Sequence, residues 1–203
     1  MTNILIISGH PNLSESIGNA TILNEVASAL PEAEIRRLDW LYPDYKINVN
    51  EEQESLLKAD VIVWQFPFSW YSLPGIMKLW LDEVFVHGFA HGSTAKLGGK
   101  KLILSFTTGA PQSLYSSNGL FDHDVDDYLT QFKTTAKLCS LDLQKPVYTC
   151  GISYADRDEN KIAQQRIMAK EHASRLIALL KKIVPGIKTG PVKERCRLLI
   201  ITR

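Results

Sequence analysis

The sequence predicts an α/β fold: a doubly wound, five-stranded parallel sheet of order 2-1-3-4-5 with helices on both faces. Three observations carry that expectation. Short apolar runs at 3–8, 61–66 and 101–106 are each stopped by Gly, Pro or hydroxyl residues, as strands buried on both faces are. Between the runs, apolar residues recur at helical spacing. Strands that alternate with helices in this way build a parallel sheet, because each parallel return needs a crossover.

Taken in order, the first strand, 3–8, is closed by Gly9 and Pro11, and a first helix starts at Ser16. Ala20, Leu23, Ala27 and Leu30 mark its buried face, and Pro31 ends it. A weaker second strand at 35–38 precedes an irregular stretch around Tyr42, Pro43 and Asp44 and a short helix at 51–58. The third strand is 61–66. The next helix is expected to start at Pro74, which loses no hydrogen bond in a first turn, and to run to about Val86. Ile76, Met77, Leu79, Trp80, Leu81, Val84 and Phe85 leave little of its circumference polar. A sheet covers one side of such a helix, and a partner subunit is the expected cover for the other. A fourth strand at 101–106, a helix at 124–141, a fifth strand at 146–150 and a last helix at 159–184 complete one domain, 1–184. A basic tail, 185–203, follows; Lys188, Lys193, Arg195, Arg197 and Arg203 set its charge, and it either docks through its apolar 198–201 segment or is an added extension.

Composition bounds the function classes. A 45% hydrophobic share with 22% charged residues is that of an ordinary globular chain, and no apolar run reaches the length that spans a bilayer. The N-terminus lacks a basic region before its apolar strand, so a cytoplasmic protein is expected. Cys139, Cys150 and Cys196 fit neither a disulfide framework nor a zinc site. A net charge of +1 gives no electrostatic argument for nucleic acid, and it lacks the strong acidity of a small electron carrier that docks basic partners.

In the order 2-1-3-4-5, strands one, three and four are neighbours, and ligands bind beyond their C-terminal ends. Three loops lie there. The first, His10 to Asn19, leads into a helix and carries Ser14 and Ser16; it either cradles a phosphate with its N–H groups and hydroxyls or simply caps the helix. It matches neither the Walker pattern nor the dinucleotide fingerprint. The second, Phe68-Ser69-Trp70-Tyr71, places aromatics where neither strand nor helix periodicity assigns them to the core, so they suit packing on a flat ring. The third, Thr107-Thr108-Gly109-Ala110, permits close approach of backbone to a ligand, or is a plain turn. Convergence of all three on one site outweighs each alone.

At His10-Pro11, Ser16 with Asn19, Leu41 to Asp44, Trp64 through Tyr71, Pro74 with Lys78 to Trp80, and Thr107 to Gly109, the sequence resembles the NAD(P)H:quinone dehydrogenase family of flavodoxin-like proteins. Within it, the bacterial ancillary oxidoreductases of glutathione-gated potassium efflux systems are the most similar in pattern. The resemblance spans about 1–184. It implies FMN as cofactor, with FAD the alternative; NADH or NADPH as hydride donor; a quinone-like acceptor reached by ping-pong transfer, or a nitro or azo compound reduced at the same site; a homodimer; and a membrane potassium efflux protein as a further partner, which would hold the chain at the inner face of the membrane. By position, His10, Ser16, Ile17, Gly18 and Asn19 would hold the flavin phosphate and ribityl chain. Phe68, Ser69, Trp70 and Tyr71, with Thr107, Thr108, Gly109 and Ala110, would hold the ring, whose reduced charge the backbone N–H groups would stabilise. Phe89 and His91 fall where the partner chain lines the substrate pocket. Tyr115 matches a tyrosine that, in animal quinone reductases, works with a histidine six positions later; Phe121 stands there instead. The protonating group is Tyr115, His123 or water, and the Asp122-His123-Asp124 cluster equally suits a helix start. His87 and His91 have no carboxylate or thiol motif to complete a metal site, so no metal is expected.

Overall fold

Residues whose two neighbouring strands satisfy their backbone groups must bury side chains on both faces of the sheet, and the computed structural model, which describes residues 3–184 and 186, shows helices doing so. The strands β1 (Ile4–Ser8), β2 (Glu34–Arg37), β3 (Val61–Pro67) and β4 (Lys101–Thr107) pair in parallel in the order β2-β1-β3-β4. Two further segments, β5 (Asp142–Leu143) and β6 (Val147–Thr149), both pair in parallel with β4 and share the fifth position. The expected order is therefore the observed one. The single fifth strand expected at 146–150 is instead interrupted: Pro146 has no N–H to continue the ladder, so pairing stops after Leu143 and resumes at Val147.

On one face, Ile4, Ile6, Val61, Val63 and Ile103 pack under α1 (Gly18–Ala29) and α6 (Glu159–Ile183), against Ile22, Leu23, Val26, Ala169, Ala173 and Leu176. On the other, Leu5, Ile7, Ile62, Trp64, Leu102 and Leu104 pack against residues of α4 (Gly75–Val84) and α5 (Thr130–Leu138), among them Met77, Trp80, Phe132 and Ala136. Each such side chain contributes about 1.5–3 kcal/mol when fully buried. Flanking the second face are α2 (Leu38–Leu41), a turn not foreseen from the sequence, and α3 (Val49–Lys58), capped by Asn48, whose Oδ1 accepts from the Glu51 N–H at 3.4 Å.

Two expectations about helices change. The helix expected at 124–141 is shorter: Asp127–Leu129 is a 3-10 turn, and α5 begins only at Thr130. It ends because Ser140 takes a left-handed conformation (φ 52°) and the Leu141 N–H reaches back to the Ala136 carbonyl at 2.8 Å, the terminating bond of a Schellman motif. For α4, Pro74 is the cap, not the first helical residue, and the second apolar side is covered from within the chain. Trp80 donates from Nε1 to Glu52 Oε2 of α3 at 2.8 Å, and Leu38, Tyr42 and Leu56 join the same core. The apolar girth of α4 thus has an internal cover and does not itself require a second subunit. The tail 185–203, apart from Gly186, lies outside the described residues, as does Cys196.

Candidate functional site

Beyond the C-terminal ends of β1, β3 and β4 lies a cleft of about 710 Å³, within the usual size range of small-molecule sites. Its lining includes His10, Ser16, Gly18, Asn19, Phe68, Ser69, Trp70, Tyr71, Thr107, Gly109, Ala110 and Tyr115.

The first wall is the loop from β1 into α1. Gly9 is required there by close approach, since a Cβ would meet Met77 Sδ at 2.3 Å. The loop is tied down where Asp39 Oδ2 accepts the Leu13 N–H at 2.9 Å while Arg37 pairs with the same carboxylate. Ser16 is extended and accepts the Asn19 N–H at 3.0 Å, so it caps α1 and lines the cleft at once. Ser14 instead turns to Asn12 Oδ1 at 2.6 Å. The N–H groups of Ile17 and Gly18 find no hydrogen-bond partner among the described residues, which leaves the positive end of α1 open to an anion. His10 adds a donor: its Nδ1 accepts the Asn12 N–H at 3.1 Å, so in the neutral ring the proton sits on Nε2. The ring is neutral because burial, with help from Arg157 and Arg37 and against the pull of Asp39, lowers its pKa to about 4.

The second wall is aromatic. Ser72 donates its N–H to the Ser69 carbonyl at 3.0 Å, and the residues between, Trp70 and Tyr71, have φ of 47° and 62°. Positive φ at both central positions is the pattern of a type I′ turn, normally filled by Asn or Gly; two bulky aromatics there cost on the order of 1–3 kcal/mol each. Tyr71 is steadied by stacking on Tyr128 with centroids 5.1 Å apart, whereas Trp70 is 93% exposed. Phe68 packs inward against Phe106.

The third wall follows β4. The Thr107 carbonyl accepts the Phe68 N–H, and the Thr108 N–H goes to the Thr149 carbonyl, so neither N–H is free for a ligand. Those of Gly109 and Ala110 have no partner among the described residues. Tyr115, 4% exposed, packs edge-on against Phe121 and Tyr128. Burial raises its pKa, so the phenol keeps its proton at neutral pH.

Three expected site residues lie outside this lining. Ile17 lines a neighbouring groove shared with α6, although its unpartnered N–H belongs to the same helix start as that of Gly18. Thr108 is buried, with its hydroxyl on the Ala110 carbonyl at 2.7 Å. His123 stands on the outer surface, 3.9 Å from Asp127 and edge-on to Tyr128, where the chain is a loop and not the helix start expected at Asp122 to Asp124. Phe89 is buried in its own chain's core, and His91 packs against His87. Among the described residues no His, Cys, Asp and Glu cluster is arranged to hold a metal ion, and no helix is long and apolar enough to cross a membrane.

A fourth loop, after β6, was not foreseen. It brings Ile152, Tyr154 and Arg157 to the cleft, with Arg157 Nε donating to the Ser153 carbonyl at 2.9 Å. Gly18 packs so closely on this loop that a Cβ would meet Ile152 Cγ2 at 2.7 Å. The signal available was topological: a loop following the strand next to β4 ends on the same side of the sheet as the other three.

The family model of the flavodoxin-like fold matches residues 2–173. General stress protein 14 of Treponema denticola, solved in complex with FMN, is 31% identical over 88% of this chain and 99% of that one, with a TM-score of 0.76. A thermophilic tryptophan halogenase from Streptomycin violaceusniger is 29% identical over 83% and 97%, with a TM-score of 0.74. An NADPH-quinone reductase from P. pentosaceus is 21% identical over 85% and 98% with a TM-score of 0.66, a likeness of fold. With the sheet order and the matched length in agreement, the chain belongs to the family of the flavodoxin-like fold.

Proposed function

We propose that the cleft holds FMN and that the protein is a flavin-dependent NAD(P)H oxidoreductase acting on a quinone-type acceptor. The observation that carries this is the pairing, in one cleft, of an anion cradle with an aromatic wall. The cradle consists of the open N–H groups of Ile17 and Gly18, the Ser16 hydroxyl, His10 Nε2–H and the Arg157 guanidinium. It suits a phosphomonoester, for which Arg supplies a fixed fork of donors and the helix terminus a partial positive charge. Phe68, Trp70 and Tyr71 suit one face and edge of a planar ring, and the Gly109 and Ala110 N–H groups suit its polar, electron-rich edge. The FMN complex of the Treponema relative supports the choice of mononucleotide.

When bound, the flavin supplies the redox chemistry, taking two electrons as hydride from a nicotinamide and passing two to the acceptor. The chain's own residues bind, orient and exclude water. Tyr115, a phenol kept protonated by burial, offers an O–H donor to an acceptor oxygen in the cleft, and is favoured over His123, which does not line it. Pairing as a homodimer is part of the proposal, supported by exposed Trp70 beside the cleft and by exposed Val86 and Leu120. A regulatory role beside a potassium efflux protein rests on the sequence resemblance alone.

Anaerobic mixing of the FMN-loaded protein with NADH or NADPH is expected to bleach the flavin's visible absorbance, and a quinone to restore it. Failure of both nucleotides to bleach it overturns the assignment.

A further inference from the structure

A polar stripe crosses the sheet beneath the cleft. Ser8, Gln65 and Ser105 are in register on adjacent strands, and all three are fully buried on the face covered by α1 and α6. Burying polar groups in an otherwise apolar layer costs free energy unless each is hydrogen-bonded. From this stripe a continuous chain of bonds runs between the cleft and the outer side of α6. At the cleft end, Asn19 Nδ2 meets Thr107 Oγ1 at 3.1 Å, and Gln65 Nε2 meets Asn19 Oδ1 at 2.7 Å. Ser105 Oγ meets Gln65 Oε1 at 2.5 Å and His172 Nε2 at 2.8 Å. His172 Nδ1 meets Thr149 Oγ1 at 3.0 Å, and Arg175 Nη2 reaches Thr149 Oγ1 at 2.7 Å and the Tyr148 carbonyl at 2.9 Å.

The donors set a direction. Arg175 has only N–H groups, so Thr149 Oγ1 accepts from it and has its own hydrogen to give to His172 Nδ1. The imidazole proton is then on Nε2 and goes to Ser105, whose hydrogen goes to Gln65 Oε1. Gln65 donates to Asn19, and Asn19 to Thr107. Each bond of this chain thus has one donor and one acceptor, the Ser8 hydroxyl taking no part in it, and at the cleft end the Thr107 hydroxyl keeps its own hydrogen, on a residue that lines the cleft. The reverse polarity requires both amides to turn over and the imidazole proton to move to Nδ1. Thr149 would then accept from both His172 and Arg175 and leave its own hydrogen without an acceptor among these groups, and Thr107 would spend its hydrogen on Asn19. Burial, reinforced by Arg175, lowers the His172 pKa to about 3, so the ring carries one proton and transmits one polarity.

We propose that His172 and Arg175 are positioning residues: through Thr149, Ser105, Gln65 and Asn19 they hold the Thr107 hydroxyl as a hydrogen-bond donor toward the ligand's ring. The inference rests on the flavin reading and deepens it. The pyrimidine edge of a flavin presents carbonyl oxygens and ring nitrogens that gain electron density on reduction, so a donor fixed beside it stabilises the reduced ring more than the oxidised one. Neither α6 residue lines the cleft, so their effect reaches it only through the chain.

The test uses the full-length protein. Nitrogen-15 NMR of its histidines is expected to find His172 as the neutral Nε2–H tautomer. Arg175→Met, at an exposed position, is expected to keep its thermal midpoint and bind FMN, while binding reduced relative to oxidised FMN about tenfold less tightly. For a two-electron couple that is a midpoint potential lower by about 30 mV. Arg175→Lys, which restores a donor, is expected to recover the potential. A His172 proton on Nδ1, or an Arg175→Met potential equal to wild type, overturns the inference while leaving FMN binding intact. Absence of FMN binding by the wild type overturns the flavin reading and this inference with it.

Discussion

Asn19 at the start of α1 donates from Nδ2 to Thr107 Oγ1 at the end of β4, 3.1 Å away, and so fastens the anion-binding loop to the loop that faces the ring. It also accepts from Gln65 on the strand between them. Replacing Asn19 with Ala leaves the buried Gln65 amide without that acceptor and Thr107 without that donor. We expect a loss of about 2–6 kcal/mol in urea unfolding, from two deprived polar groups at about 1–3 kcal/mol each. FMN affinity should fall as well, because the two walls lose their fixed separation.

The Trp70 and Tyr71 turn sets stability against binding. Trp70→Gly removes the steric cost of φ 47° and is expected to raise stability by about 1 kcal/mol, since Trp70 is 93% exposed. The same variant should bind FMN at least tenfold more weakly by fluorescence titration. A gain in stability with unchanged affinity would remove Trp70 from the site.

On the face of the sheet opposite α1, Glu52 is fully buried, accepts from Arg36 Nε at 2.7 Å, Tyr42 Oη at 2.6 Å and Trp80 Nε1 at 2.8 Å, and pairs with the same guanidinium. Burial, with the hydrogen bond to Glu52 and against the pull of Arg36, pushes the Tyr42 phenol up to about 12. Glu52→Gln strips Arg36 of its buried counter-charge and should cost about 3 kcal/mol, the low end for a broken buried pair because Glu34 and Glu51 stay within reach of the guanidinium. FMN affinity should be unchanged, since none of these groups lines the cleft.

His10 and His172 give the fold an acid-sensitive range. Both pKa values are lowered from 6.5, to about 4 and about 3, chiefly by burial. A histidine with a depressed native pKa is protonated first in the unfolded chain, so its contribution is complete above pH 6.5 and is lost as the pH falls toward the native value. Between pH 6.5 and 5, above most carboxylate titrations, unfolding free energy should drop by up to about 2.7 kcal/mol per pH unit for the two together. Chemical denaturation across that range measures it, and His10→Asn should halve the slope.

Much of this architecture is legible in the residue order. The Ile, Leu and Val runs of β1, β3 and β4, broken by Gly9, Pro67 and Gly109, locate three central strands, and their order follows from alternation with helices. The loops that follow them reach the cleft for the same reason. What pattern reasoning misses depends on three-dimensional partners. Pro146 signals an interruption, but only the register against β4 shows that pairing resumes beyond it. His172 falls on the Ala169 and Ala173 face of α6, where an isolated polar residue has no local signature; its partners lie 23 and 67 residues away. The polar positions Ser8, Gln65 and Ser105 of three strands are visible individually, and their alignment into one rung requires the register. Arg157 lies in an irregular loop with no phosphate-binding motif, and its approach to His10 is set by tertiary packing.

The central claim is that this cleft recognises a flavin through its phosphate as well as its ring. Equilibrium titration of flavin-free protein with FMN and, in parallel, with riboflavin isolates the cradle of Ile17, Gly18, Ser16, His10 and Arg157 from the aromatic wall. Two or more charge-assisted hydrogen bonds, at about 1.5–3 kcal/mol each, predict FMN binding at least a hundredfold tighter than riboflavin. Equal affinity for the two, or no binding of FMN, would contradict the account.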